Sequence, residues 1–333
     1  MTPPLQDNYG RVHRDLRISL TDHCNLRCTY CMPAEGVPWL PRQSLLSPEE
    51  LMRIVRVGLA EGITEVRLTG GEPLLRPDIV EIVARISALR LPDGESPEVS
   101  ITTNGIGLSK IAPALADAGL ARVNISLDTL DPERFHQLTR RNRLHDVIAG
   151  IDAAIAAGLK PIKVNAVPMR EVNLDELADL LDWCLERGLE LRFIEQMPID
   201  AGHIWNRRTM VTQAEVHALL SERHTLTAIP GRGAAPAERF LVDDGPGSVG
   251  IIASVTAPFC GACDRLRLTA DGQLRSCLFA RGESDLRGPM RAGASDEDLA
   301  QIFHACLAGK LPGHGINEPG FLQPDRPMSA IGG

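Results

Sequence analysis

Aromatic residues are scarce in this chain. Two Tyr, three Trp and seven Phe make up 4% of it, so aliphatic side chains must build the core. Long apolar runs are absent too. No stretch of about 18 apolar residues occurs, so no membrane span is expected. Met1 to Gly10 lack the basic-then-apolar pattern of a secretory signal. Cations do not predominate: 35 Lys and Arg stand against 43 Asp and Glu, a formal net charge of −8. That balance argues against a general nucleic-acid binder. A Gly-rich dinucleotide fingerprint is missing, as is any internal repeat beyond strand–helix units.

What is present starts with 333 residues, 44% of them hydrophobic, enough for a large core. Eight Cys are present, six of them in two sets. Such use fits a reducing, cytoplasmic compartment better than a disulfide scaffold. Cys184 and Cys306 stand apart in helix-like stretches and read as small core side chains.

The first set is Cys24, Cys28 and Cys31, spaced CxxxCxxC. Three thiolates can hold three irons of a [4Fe-4S] cube and leave the fourth iron open to a small molecule. A zinc site using these Cys with His23 is the rival reading, although zinc sites rarely use this spacing. Cys260, Cys263 and Cys277 form the second set. Alone it fits a zinc ribbon short of one ligand as well as it fits a cluster. Beside the first set it reads as a second [4Fe-4S] site with an open iron.

Strand-like and helix-like segments alternate over the first ~195 residues. Strands are expected at Leu16–Thr21, Glu65–Thr69, Glu98–Thr103, Arg122–Leu127, Lys160–Val167 and Leu189–Glu195. Helices are expected near Pro48–Glu61, Asp78–Leu89, Gly107–Ala118, Leu144–Ala157 and Leu174–Arg187. Ser47, Pro48 and Glu50 give the first helix a capping signature. Six such repeats imply parallel strands with right-handed crossovers, two short of an eight-stranded barrel. A flat doubly wound sheet is the alternative.

Within the strands, polar and apolar residues alternate. Leu16, Ile18 and Leu20 oppose Arg17, Ser19 and Thr21; Val123, Ile125 and Leu127 oppose Asn124, Ser126 and Asp128. Parallel strands covered on both faces should instead be apolar throughout. The expected fold is therefore α/β: a partial (βα)6 TIM-like barrel, open on one side, with helices outside and a wet, ligand-filled lumen. Residues 1–196 form it. Residues 197–320 are expected as a smaller domain capping the open side, with a hairpin near Asp271-Gly272 and little regular structure from Ile229 to Pro246. Residues 321–333 are expected as a flexible tail without a regular element.

The first triad resembles the radical S-adenosylmethionine (SAM) enzymes. Both triads together, the run Thr69-Gly70-Gly71-Glu72-Pro73 and the terminal Gly332-Gly333 resemble the GTP 3′,8-cyclases of molybdenum cofactor biosynthesis. The resemblance runs from about Arg14 to the last residue. It implies two [4Fe-4S] clusters and SAM. It places Gly70, Gly71 and Glu72 at the SAM amino group, and Thr102, Ser126 and Met197 around its ribose, carboxylate and adenine. Tyr30 could stack on the adenine.

A triphosphate on an acidic chain demands a local basic pocket. Arg17, Lys163 and Arg192 lie on the lumen-side pattern, and Arg265 and Arg267, two apart, point the same way in a strand. The family assigns Arg17, Arg265 and Arg267 to GTP. Several members carry Lys where this chain has Glu65, so Arg67 is expected to serve the phosphates alone. Gly332 and Gly333 are expected to enter the active site.

The implied reaction begins with reductive SAM cleavage to a 5′-deoxyadenosyl radical, which takes the 3′ hydrogen of GTP. The ribose radical closes onto guanine C8, and reduction gives 3′,8-cyclo-7,8-dihydroguanosine 5′-triphosphate. Implied partners are an unidentified electron donor, a second copy of the chain, and cyclic pyranopterin monophosphate synthase, which takes the product. The rivals are a radical SAM enzyme acting on a peptide and a non-catalytic iron–sulfur or zinc protein.

Overall fold

The structure is a computed structural model and describes residues 4–332. The first half runs β1 (Asp15–Ser19), α1 (Pro48–Ala60), β2 (Glu65–Thr69), α2 (Ile79–Ser87), β3 (Glu98–Thr103), α3 (Leu108–Asp117), β4 (Arg122–Ser126), α4 (Pro132–Thr139), α5 (Leu144–Ala156), β5 (Ile162–Ala166), α6 (Leu177–Glu186) and β6 (Glu190–Ile194). Each strand pairs in parallel with the next. At the start of α1, the Ser47 hydroxyl accepts from Glu50 N–H, and the Glu50 carboxylate accepts from Ser47 N–H. Pro48 occupies the first turn, where its missing N–H costs nothing.

The second half runs α7 (Gln213–Ser221), β7 (Leu226–Ile229), β8 (Glu238–Val242), β9 (Ser248–Ile252), β10 (Arg265–Leu268), β11 (Gln273–Arg275), β12 (Ser284–Asp285), α8 (Arg287–Arg291), α9 (Asp296–Ala308) and α10 (Met328–Ile331). It differs from expectation in three ways. The stretch from Ile229 to Pro246 contains β8, a strand paired to both β7 and β9. Rather than only capping the barrel, these strands lengthen its sheet: β9 pairs in parallel with β6 and β10 in parallel with β1. Finally, the tail carries the short helix α10.

One sheet of twelve strands results, in the order β12-β11-β10-β1-β2-β3-β4-β5-β6-β9-β8-β7. Eight of them, from β10 through β6 to β9, are parallel, and the sheet does not close on itself. The hairpin at Asp271-Gly272 is present as β10–β11. Leu16, Ile18, Val66, Leu68, Val99, Ile101, Val123, Ile125 and Val164 are fully buried against the helices. The polar faces of the same strands are left to line the lumen. Among the described residues, no helix is long and apolar enough to cross a membrane.

Candidate active site

The polar strand faces meet in one cavity. Arg17, Arg67, Thr69, Thr102, Asn124, Ser126, Asn165 and Arg192 all line it. Register explains how the guanidiniums gather, since Arg17 on β1 lies opposite Arg67 on β2 and Arg267 on β10. Neighbouring strands are about 4.8 Å apart, so three cations stand side by side. Asp15, at the foot of β1, is the carboxylate near them, 3.5 Å from Arg17 and 3.8 Å from Arg67. Arg192 is held from two sides, donating to Asn165 Oδ1 at 2.9 Å and Asn124 Oδ1 at 2.8 Å.

Burial and mutual repulsion hold Arg17 well below its ordinary pKa, and burial lowers Arg192 to about 10. Among the described residues, Arg17 Nε, Arg265 Nη2 and Arg267 Nε are buried without a hydrogen-bond partner. Such donors suit an anion with several acceptor oxygens. Lys163 is not brought to this cavity; its ammonium sits 3.5 Å from Glu190. Glu65, at the foot of β2, accepts from Arg122 at 2.8 Å.

At the carboxyl end of β2 the chain turns tightly under the first triad. Gly71 N–H donates to Thr21 O at 2.6 Å and Glu72 N–H to His23 O at 2.7 Å. A Cβ on Gly71 would lie 2.3 Å from His23 O, and one on Gly70 2.5 Å from Thr21 O. The two glycines thus let this turn lie directly on the loop that carries Cys24. The Glu72 carboxylate is buried and accepts from Thr103 Oγ1, Asn104 N–H and Leu74 N–H. Burial nevertheless raises it to about 7. Tyr30 donates to Asp128 Oδ2 at 2.8 Å, which fixes its ring beside Cys28 and Cys31.

Burial raises the thiols of the first triad and Cys260 of the second, and Cys263 departs from them. Burial raises Cys24 to about 11 and Cys31 to about 12, and Cys28 well above the usual thiol range. Cys260 opens a single 3-10 turn, Cys260–Ala262, that leads into Cys263 and β10. Burial works to raise Cys263 as well, but Arg265 and Lys310 beside it prevail and bring it down to about 7.

The tail closes over the first triad. Met328 N–H donates to Ile199 O at 3.0 Å, and the backbone of Ser329 comes close enough to the Cys31 thiol to offset part of the rise that burial gives it. Gly332 packs against Thr69 and Ser19, where a Cβ would lie 2.8 Å from Thr69 Cγ2. Gly333 lies outside the described residues.

All six cysteines line the one cavity, together with Tyr30, Gly70, Gly71, Glu72, Thr102, Ser126, Met197, Arg17, Arg67, Arg192, Arg265 and Arg267. Every described cysteine is a free thiol. No three His, Cys, Asp or Glu side chains are gathered among the described residues as a single metal ion requires. Three-thiol sets spread around a cavity fit the wider body of an iron–sulfur cluster. Sequence reasoning singled out neither Arg11, Lys310 nor Phe259, which surround the second triad. Asn124 and Asp128 were visible as polar strand positions, though not the bond of Asn124 to Arg192 or of Asp128 to Tyr30.

Comparison with known proteins shows the family and the fold. The Radical SAM superfamily pattern matches residues 18–184, and the Molybdenum Cofactor Synthesis C pattern matches residues 189–316. The solved structure of Streptococcus suis SuiB bound to S-adenosylmethionine superposes with a TM-score of 0.63 at 16% identity. The match covers 91% of this chain and 67% of that one, a likeness of fold. The chain is thus a radical SAM protein by pattern and architecture. It is 57% identical over 332 residues to the GTP 3′,8-cyclase of Streptomyces coelicolor, covering 99% of this chain and 96% of that one. It is 54% identical over 336 residues to that of Corynebacterium glutamicum, covering 99% and 89%. The chain belongs to the GTP 3′,8-cyclase family.

Proposed function

We propose that this chain converts GTP to 3′,8-cyclo-7,8-dihydroguanosine 5′-triphosphate in molybdenum cofactor biosynthesis. One observation carries the reading: two three-thiol sets and five buried or half-buried guanidiniums share a single cavity. Cys24, Cys28 and Cys31 would hold one [4Fe-4S] cluster and Cys260, Cys263 and Cys277 a second. When bound, the first cluster and SAM supply an electron and a carbon radical able to take the 3′ hydrogen.

The chain's own part is to bind, orient and exclude water. Gly70, Gly71 and Glu72 form the close-packed turn against which SAM would lie, with Tyr30, Thr102, Ser126 and Met197 around it. Arg17, Arg67, Arg192, Arg265 and Arg267 would hold the triphosphate through charge-assisted bonds. Lys163, turned to Glu190, would act at longer range. Gly332, with Gly333 beyond it, would close the cavity. An array of cations suits a triphosphate better than a peptide side chain. We further place the chain in the cytoplasm as a homodimer, reduced by an unidentified donor and passing its product to cyclic pyranopterin monophosphate synthase.

The test is anaerobic. Protein reconstituted with iron and sulfide receives dithionite, SAM and GTP, and chromatography with mass detection follows the products. GTP-dependent 5′-deoxyadenosine together with a new isomer of GTP is the expected result. SAM cleavage with GTP untouched would overturn the substrate. No SAM cleavage would overturn the reaction class.

A further inference from the structure

Lys310 follows α9 and is 4% exposed. Its ammonium donates to Arg265 O at 2.9 Å and to Cys263 Sγ at 3.8 Å. Among the described residues it makes no ion pair with any carboxylate. Burying an ammonium without a counter-charge is costly, and such groups persist where an anion faces them. The groups available to be that anion are the thiols of the second triad. Two arginines stand nearby, Arg265 over the Phe259 ring, 4.9 Å from its centroid, and Arg267 two residues further along β10, with Asp15 and Asp264 as the carboxylates that face them.

The loops bearing these groups are stitched together. Arg11 donates to Cys260 O at 2.7 Å, to Leu311 O at 2.7 Å and to Pro312 O at 3.0 Å. Asp7 anchors Arg11 in turn at 2.5 Å. The same guanidinium therefore fixes both the cysteine turn and the segment that presents Lys310. Held at 2.9 Å by the Arg265 carbonyl, the ammonium also faces the Cys263 sulfur at 3.8 Å.

We propose that Lys310 is a positioning residue for the second iron–sulfur centre: its N–H···S bond to Cys263 and its charge raise that centre's reduction potential. This rests on the two-cluster reading above. Donation to a ligand sulfur withdraws electron density and favours the more negative, reduced state.

The test uses the full reconstituted chain, its iron content, and a potentiometric titration followed by electron paramagnetic resonance. In Lys310→Met, eight irons per chain are expected, with the SAM-induced signal of the first centre unchanged. The reduction equilibrium of the second centre should move at least tenfold toward the oxidised form, about 59 mV for one electron. Lys310→Arg keeps the charge and should stay near the parent value. A second-centre potential in Lys310→Met equal to the parent's, with eight irons present, would overturn the inference alone. Four irons in the parent protein would overturn the two-cluster reading and the inference with it. If Lys310→Met fails to fold, Lys310→Gln replaces it, and an unmoved potential there would be equally decisive.

Discussion

Arg326, in the tail, grips Asp271 at the β10–β11 turn through two bonds of 2.9 Å each, and Glu283 accepts from the same guanidinium at 3.0 Å. Two residues further on, the chain enters α10, whose first turn reaches Cys31. The clamp thus fixes the point from which the tail enters the cavity.

Arg326→Ala should loosen that entry. A bidentate, half-buried pair of this kind contributes about 1–2 kcal/mol, a roughly 5- to 30-fold change in how often the tail is docked. Hydrogen exchange of residues 328–332 should quicken by that factor while exchange in α1 stays unchanged. Equal exchange in the tail of both proteins would show that the clamp does not hold it.

Gly71→Ala should be far more damaging than Gly62→Ala. A Cβ at position 71 would lie 2.3 Å from His23 O and 2.4 Å from Asp22 O, both backbone atoms of the first triad's loop. A Cβ at position 62 would meet nothing, leaving only the strain of a φ of 105°, about 1 kcal/mol. The first variant should lose SAM binding by at least about 100-fold, as backbone displacement beneath a binding site allows. The second should bind SAM normally. Calorimetric titration of both proteins decides it.

Glu72 ties the Gly70-Gly71 turn to the carboxyl end of β3 through Thr103 and Asn104. Its folded-state pKa of about 7 is above the ordinary value of 4.5, because burial disfavours the charge. The stability it contributes is therefore complete below pH 4.5 and lost as pH rises through about 7. Glu72→Gln carries no charge at any pH, so its stability should vary less between those limits. Urea midpoints of both proteins at pH 5 and pH 8 check the point; parallel changes would mean that Glu72 does not titrate in this window.

Much of this architecture could be read from the chain. Glu65–Thr69 and Glu98–Thr103 have the strand limits that their alternation predicts. The same alternation placed Arg17 and Arg192 toward a lumen, where both lie. What escaped depends on distant partners. β8 lies among Gly, Pro and Ala, which carry no periodic signal, and becomes a strand through pairing with β7 and β9. The pairing of β10 with β1 joins segments some 250 residues apart, and no local pattern encodes that register. α10 is four residues long, too short for a helical period to show. Lys163 alternates as a lumen residue, yet Glu190 on the adjacent strand claims its charge. Lys310 has no motif at all; its meaning comes from the sulfur it faces.

The last prediction concerns acid. His13 is fully buried, with Nε2 3.1 Å from Asp7 Oδ2, and burial pushes its pKa from 6.5 down to about 4. Below pH 6.5 the unfolded chain takes up a proton that folded His13 refuses, so stability is lost as pH falls from about 6.5 through about 4. Burial works to raise Asp7, but bonds from His13, Tyr9 and Arg11 outweigh it and hold Asp7 at about 2, so its contribution fails only at lower pH, from 3.8 down. The full His13 window corresponds to about 3 kcal/mol. Because Asp7 anchors Arg11, and Arg11 anchors the Cys260 turn, acid should loosen the second triad along with the fold. His13→Gln removes the proton uptake. Between pH 7 and pH 5 the parent should lose about 2 kcal/mol more stability than the variant. Matching losses in urea titrations at the two pH values would place the acid sensitivity elsewhere in the molecule.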